Sequence, residues 1–563
     1  MKNKFFKSMA LLLAAVMTLG ALSGCGRKDN PADNSTAELS SSENQASDEV
    51  TQANAMTESV KNENAADDAE TVHRDVVNVG IEGDPGELSP FGPTNTGRKD
   101  TLNNIYQGLA HVINGEIVGV LFDEYEWGGE DEHPYFEMHL YDYIYDSAGN
   151  HLTANDVKFS LETGKALGNL ADLGIVESVE VVDDYTVRFH FNHALYLNDI
   201  ENVFNNLLVV TQAAYEASGD GMATMPVSTS HYKVKEYTPG YCLTLVENEN
   251  YWQTDESLIA DRDKANVSEI NFFILTETSQ MSLALENSSI DMSWTVSTDD
   301  ISRFTSTDAY WLFQATDDLC DYVLCNVTEG LPTADVNLRK AIFYAINSEA
   351  VIQSVYGGSA FVMYDMAAQK APDAQESWIN EENYYKYDPE KAKECLELWG
   401  GDPSSLKLKI LGANDTSTAN ELQLLQGFLS AVGITSEVVA YDSAQINTAM
   451  EDATQWDILV CKNATNAYAP NLWKNLLSAE NYAWGGSKNF IFDDELQNII
   501  NTARSISSHS DETVQAGHEY IIDNAYGYGL CNFKSNYVVT SDCTKVVTSF
   551  KGAVLPGACD YIN

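Results

Sequence analysis

Residues 135–162 read YFEMHLYDYIYDSAGNHLTANDVKFSLE, and this stretch frames the rest of the chain. Phe136, Met138 and Leu140 alternate with Glu137, His139 and Tyr141, the period of two of a half-buried strand. Asp146-Ser147-Ala148-Gly149-Asn150 is turn chemistry: short polar side chains that bond their own backbone, and a glycine free to take positive φ. Thr153 then opens a helix. Its hydroxyl suits an orphan amide of the first turn, and Asp156, three residues on, suits the reciprocal half of a capping box and the positive helix end. Strand, turn and capped helix carry no chemistry of their own.

Strand, Asp-x-x-Gly turn and LTANDVKFSLE, in that order, closely resemble the signature region of the family 5 extracellular solute-binding proteins, the peptide and nickel type receptors of ABC importers. Further segments match in the family's order. GDPGELSPF at 83–91 resembles the loop after its first strand. Val179–Phe189 reads as two strands around Asp183-Asp184 and is similar to a later hairpin of the family. Pro239-Gly240, Asn248-Glu249-Asn250-Tyr251-Trp252, the run 321–358 and Tyr387–Ala392 follow suit. The resemblance covers nearly all of 72–550.

It implies an α/β, two-lobed periplasmic-binding-protein-like (type II) fold with a subdomain inserted in lobe one. Lobe one is expected over 72–275 and 530–563, with the insert at 95–206, and lobe two over 276–529. Ligand would bind between lobes joined by two crossings, and closure would follow its preference for the closed form. Tyr526–Thr540 is predicted to be a strand pair making the return crossing. Asp335 and Arg339 stand four apart at a predicted helix start, a spacing that supports a helix.

The chain of 563 residues is long enough for several large cores. Its 32 basic and 84 acidic residues leave a net charge of −52. Such a surface repels phosphate backbones and anionic lipid heads, so nucleic acid is excluded as a partner; solubility of an exported protein accounts for it. Nine cysteines occur, none at CxxC spacing and none clustered with histidine as zinc requires. Apart from Cys25 they read as buried free thiols, with a bridge between Cys320 and Cys325 left open. The acidic stretch Asp123–Glu132 lacks the organised spacing of a calcium loop and reads as a solvated hairpin tip. No GxSxG, HExxH or GxxxxGK[ST] occurs, so neither an enzyme nor a cofactor is expected.

Residues 1–25 read as targeting sequence. Lys2, Lys4 and Lys7 precede an apolar run, Met9–Ala21, too short to span a membrane. Leu22-Ser23-Gly24-Cys25 looks like a bacterial lipobox, in which Cys25 carries the lipid that anchors the protein to the outer face of the cell membrane. Gly26 to Thr71 has almost no large apolar residues and is expected to be a disordered tether.

Candidate ligand-binding residues fall in three places. Tyr106 lies in a predicted helix, Thr101–Ala110, where Leu102, Ile105 and Leu109 share its spacing; a core tyrosine is the plainer reading. Thr229 and His231 stand in Ser228-Thr229-Ser230-His231, where the family has a Gly-Thr-Gly-Pro-Tyr type turn. With no second ligand near in sequence, His231 reads more plainly as a hydrogen-bonded structural histidine than as a metal ligand. The loop at 461–486, CKNATNAYAPNLWKNLLSAENYAWGG, holds Asn463, Asn466, Tyr468 and Trp484. Peptide-binding relatives often have Asp-Tyr-x-x-Pro here, the Asp receiving the peptide ammonium, and anchoring on Pro470 puts Asn466 in its place. Asparagine supplies no countercharge for a desolvated ammonium, so either another acid serves or the ligand lacks a free amino terminus. The resemblance implies a monomeric receptor that hands an oligopeptide to a permease and its ATPase. An oligosaccharide or other non-peptide solute is the alternative, and a surface sensor or hydrolase on the same fold a further one; clustered histidines for bare nickel are missing.

Overall fold

The computed structural model describes residues 51–53, 59–62, 70–113, 116–130, 133–169, 171–363, 365–367, 371–375, 377–378, 384–464, 468–478, 482–483, 487–488, 491, 493–549 and 552–563; Cys25, Asn466 and Trp484 lie outside them. Within the stretch expected to be tether, Thr51–Ala53 and Ser59–Lys61 form short strands on the folded body. Edge pairing uses backbone groups alone, which a composition poor in apolar residues does not forbid.

Strand β1 (Arg74–Ile81) buries Val77, Val79 and Ile81 completely. Helix α1 (Thr96–Thr101) follows, capped by the Asn95 side chain, which accepts from Arg98 N. The helix predicted over 101–110 does not form. A single 3-10 turn, Leu102–Asn104, leads to a bridge between Gly108 and Leu208 and a strand, Ala110–Ile113. Gly108 runs so close to the backbone that an added Cβ would lie 2.7 Å from Phe204 O. Pairing there takes the hydrogen bonds a helix would use, and Leu102, Ile105, Tyr106 and Leu109 are buried all the same.

The insert is an antiparallel sheet of β2 (Phe122–Glu130), β3 (His133–Leu140), β4 (Val176–Val181) and β5 (Thr186–Phe191), in the order β2-β3-β5-β4, with helix α2 (Ala154–Leu167) between β3 and β4 in sequence. Most of the acidic stretch read as a hairpin tip is thus strand, because β3 satisfies its backbone. Phe136, Met138 and Leu140 are fully buried, as their alternation predicts. Asp146 Oδ1 accepts from the amides of Ala148 and Asn150, both at 2.9 Å, and Gly149 has φ +86°. Thr153 N donates to Asp156 Oδ2 at 2.8 Å. The same two carboxylates reach further: Asp146 Oδ2 accepts from the Thr211 hydroxyl at 2.6 Å and Asp156 Oδ1 from Gln212 N at 2.8 Å. The opening stretch therefore also stitches the insert to the segment leaving it.

The main sheet adds β6 (Tyr232–Thr238), β7 (Cys242–Glu247), β8 (Val267–Ile274), β9 (Met292–Ser293), β10 (Tyr310–Cys325), β11 (Leu408–Ala413), β12 (Ser436–Tyr441), β13 (Ile458–Ala464) and β14 (Gly527–Thr540). With β1 they form one continuous sheet, ordered β6-β7-β8-β1-β9-β14-β10-β13-β11-β12. The antiparallel pair β10 and β14 runs through both lobes. The first half of β10 lies in a core with Val77, Ile270 and Phe272, and its end in another with Leu338, Leu408 and Ile458. β14 is one strand of 14 residues, not the pair predicted. Between the halves Thr316 faces Lys534 while Cys320 faces Asn532, so β10 carries extra residues there. A bulge of this kind bends and twists the strands. Met292, Trp294, Trp311 and Phe313, allotted by sequence to the second lobe, pack in the first core beside Val77.

In the second lobe, helix α3 (Val336–Ala345) is capped by Asp335, which accepts from Asn337 N at 2.8 Å. Arg339 does not lie out beside Asp335 as the spacing suggests. It turns inward, and its guanidinium donates to the carbonyls of Thr333, Ala334, Asn524 and Ala525. Helix α4 (Thr416–Ala431) follows β11, and helix α5 (Ala469–Leu477) follows β13. All eight described cysteines are free and buried. Cys320 and Cys325, five residues apart on β10, point to opposite faces and join different cores. At ~3.3 Å per residue they stand beyond the ~7 Å Cα limit for a bridge.

Candidate ligand-binding site between the lobes

Parallel strands bring their carboxyl ends, and the loops after them, to a common crevice. In the first lobe β1 is parallel to β8 and β9. Met292 faces Val539 and Ser293 faces Val538 across β14, so β9 runs toward the bulged junction. In the second lobe β11 is parallel to β12 and β13, and Asn463, near the end of β13, faces Cys320 beside the bulge. Both sets of carboxyl ends thus point at the junction of the lobes.

On the first-lobe side, Trp294 directly follows β9, and Asp100 on α1 accepts a hydrogen bond from it. Asp100 is 6% exposed, and burial pushes its carboxyl up to about 7. Its Oδ2 has no protein donor. On the second-lobe side, Lys462 Nζ donates to Ser417 Oγ at 3.0 Å and Thr418 Oγ1 at 3.3 Å, at the first turn of α4. Half-buried Asn463 follows it. An acid and an indole thus stand beside the strand ends of the first lobe, and an ammonium and an amide at those of the second.

The lobes also touch directly. Thr298 and Ser359 join their hydroxyls. The insert reaches the second lobe where Tyr196 bridges Ser505, Ile506 N donates to Leu195 O at 3.3 Å, and the Arg504 guanidinium lies 4.0 Å from the Tyr196 ring centroid. Ile506 packs against the insert's own core.

Three of the expected site residues gather elsewhere. The Tyr106 hydroxyl donates to Leu88 O at 2.9 Å. Thr229 Oγ1 accepts from Gln107 N at 3.1 Å. The His231 ring lies 3.5 Å, centroid to centroid, from Tyr251, whose hydroxyl accepts from Gln107 Nε2 at 2.7 Å. Burial pushes His231 down to about 4 despite nearby Asp263. This group braces residues 102–109 against the turn at 228–231. Tyr468 is buried ahead of α5, edge-on to His509 at 5.6 Å. Asn463 alone of the described candidates stands at a carboxyl strand end. Asp100 and Trp294 escape sequence reading, because the strand before Trp294 is only Met292–Ser293, too short to show a period. Among the described residues no cluster of His, Cys, Asp and Glu is placed to hold a metal ion.

Two α/β lobes on one sheet, joined by a bulged strand pair and facing each other across carboxyl strand ends, define a two-lobed binding protein. Residues 116–484 match the sequence model of bacterial extracellular solute-binding proteins, family 5 (middle region). The chain belongs to that family. It is 22% identical over 383 residues to the dipeptide-binding protein of Escherichia coli K12, covering 64% of this chain and 69% of that one. Among solved structures it is similar to NikA from Brucella suis in complex with Fe(III)-EDTA, with TM-score 0.70 and 18% identity over 87% of this chain and 100% of that one. It is also similar to the periplasmic binding protein DppA from Helicobacter pylori in complex with a peptide, with TM-score 0.63 and 20% identity over 87% of this chain and 98% of that one. At these identities the structures speak to the fold alone. Among the described residues no helix is long and apolar enough to cross a membrane.

Proposed function

We propose that this chain is the substrate-binding lipoprotein of an ABC importer, anchored outside the cell membrane through Cys25, and that it captures a peptide between its lobes for delivery to a permease driven by an ATPase. The family match over 116–484 carries this reading. It acts as a monomer and makes or breaks no bond. Lobe one, on this reading, is the body built on β1 and β6–β9 with the insert, and lobe two the body built on β11–β13.

Peptide is favoured by the E. coli relative's name and by the groups in the crevice. A peptide is a zwitterion with apolar side chains. Asp100 would face its ammonium, Trp294 a side chain, and Lys462 with Asn463 its carboxylate or backbone carbonyls. Asp100 would then be the other acid that Asn466 calls for. Asn466 itself favours the second reading, a solute with no free amino terminus.

Thermal shift against matched free-amino and N-acetylated peptides separates the two. A bound ligand at 100 times its Kd stabilises by about 2.7 kcal/mol. The expected result is a shift with free-amino peptides alone; a shift with acetylated peptides alone supports the second reading, and none with either overturns the peptide assignment.

A further inference from the structure

The last strands of the chain place two thiols together. Cys543 opens the strand Cys543–Val547, and Cys559 directly precedes its antiparallel partner Asp560–Tyr561. Both are 0% exposed and both belong to the first lobe's core. Cys543 faces Tyr561 across the ladder, two residues from Cys559 and so on the same side of the strand pair, and the two thiols interact there. Each thiol also has a backbone partner: Cys543 Sγ donates to Lys545 O at 3.6 Å and Cys559 Sγ to Leu555 O at 3.4 Å, while Val547 N donates to Cys559 Sγ at 3.4 Å. The register slips between Cys543 and Lys545, and a bulge of this kind bends the strand next to Cys543.

We infer that Cys543 and Cys559 form a disulfide once the chain is outside the cytoplasm, closing the loop between the final strands and pinning the carboxyl end to lobe one. An extracytoplasmic setting is oxidising, and the inference rests on the location given under the proposed function but not on any ligand. The oxidant is a dithiol oxidoreductase in its disulfide form or another small disulfide. The thiolate of one cysteine attacks that disulfide and expels one of its sulfurs. The second thiolate then attacks the mixed disulfide and expels the other. Cys543 and Cys559 give up two protons and two electrons, and the oxidant leaves as two thiols. Since both sulfurs are enclosed, exchange takes place before Asp560–Tyr561 docks. The docked strand then shields the bond. The bridge would secure a junction already made by the hydrogen bond from Val72 N to Tyr561 O at 2.8 Å and by the ion pair of Arg74 with Asp542.

The test takes full-length protein from the envelope of the producing cell. It is denatured in excess alkylating reagent without reductant, digested, and its peptides are weighed. The expected result is a linked peptide pair joining Cys543 to Cys559, lost on reduction, with the other cysteines of the folded body alkylated. Alkylation of both Cys543 and Cys559, or linkage of either to a different cysteine, overturns the inference. The same protein retained in the cytoplasm by deleting residues 1–25 should give both as alkylated thiols; a linked pair there contradicts export as the cause. Because the wild-type sequence is measured, no folding defect of a variant enters, and a failed peptide assignment leaves the outcome unaffected.

Discussion

Replacing Glu421 with glutamine should raise stability at alkaline pH and flatten its pH dependence. Glu421 on α4 faces Asp321 on β10, and both side chains are fully buried. The Tyr356 hydroxyl lies 2.8 Å from Asp321 Oδ2 and 3.0 Å from Glu421 Oε2, but it has only one proton to give. Asp321 Oδ1 and Glu421 Oε1 face no donor, a need that a proton shared by the pair meets. Burial pushes Asp321 up to about 6, and burial with the charge of Asp321 pushes Glu421 well above its ordinary value. A carboxyl whose folded pKa is raised holds a proton that the unfolded chain releases, so stability falls as pH climbs from the unfolded value through the folded one. For Asp321 the rise from 3.8 to about 6 is worth about 3 kcal/mol once pH exceeds the folded value. The glutamine amide of Glu421→Gln supplies a permanent donor and removes one titration. Urea unfolding followed by tryptophan fluorescence at pH 5, 6.5 and 8 reads the effect. Wild type should weaken by roughly 1–3 kcal/mol between pH 5 and 8, and the variant should equal it at pH 5 and exceed it at pH 8. Parallel profiles, or a variant weaker at pH 8, would refute the reasoning.

Other perturbations reach the lobe contact and the braces around it. Tyr196→Ala removes the ring under Arg504; a desolvated cation–π contact of about 1–2 kcal/mol implies exchange of the Ile506 amide about 5–30 times faster, and unchanged exchange would show that the contact does not hold the lobes together. Arg339→Lys cannot reach the four carbonyls that the guanidinium serves, so stability should drop by about 2–4 kcal/mol, with a melting temperature equal to wild type as the contrary result. His231, pushed down to about 4, binds fewer protons folded than unfolded, so its contribution is lost as pH falls from 6.5 through 4; His231→Phe should lessen the acid sensitivity of the unfolding midpoint in that window, and an unaltered profile would count against it.

What the sequence disclosed was local. The stretch at 135–162 and the Asp183-Asp184 turn fold as their patterns predict, because burial on one face and turn chemistry settle them within a few residues. Residues 101–110 misled because an apolar spacing of three and four fits a 3-10 turn followed by a strand as well as a helix, and only the approach of Phe204 decides. Arg339 beside Asp335 looked like a surface pair, since nothing nearby in sequence announces the carbonyls of Asn524 and Ala525. The site was least legible. Asp100 sits in TGRKDT like an exposed helix residue, and its burial depends on Trp294, distant along the chain. Tyr106, Thr229 and His231 did prove to be neighbours, but around Gln107 rather than at the crevice.

The central claim is that the crevice between the lobes holds a small solute and returns it unchanged. Native mass spectrometry of the protein as isolated, followed by denaturation and identification of what is released, tests it directly. One peptide per chain, of the same mass after prolonged incubation with the protein, is the predicted result. A protein that carries nothing and takes up nothing from peptide pools, or that cleaves the peptides offered to it, would contradict the account.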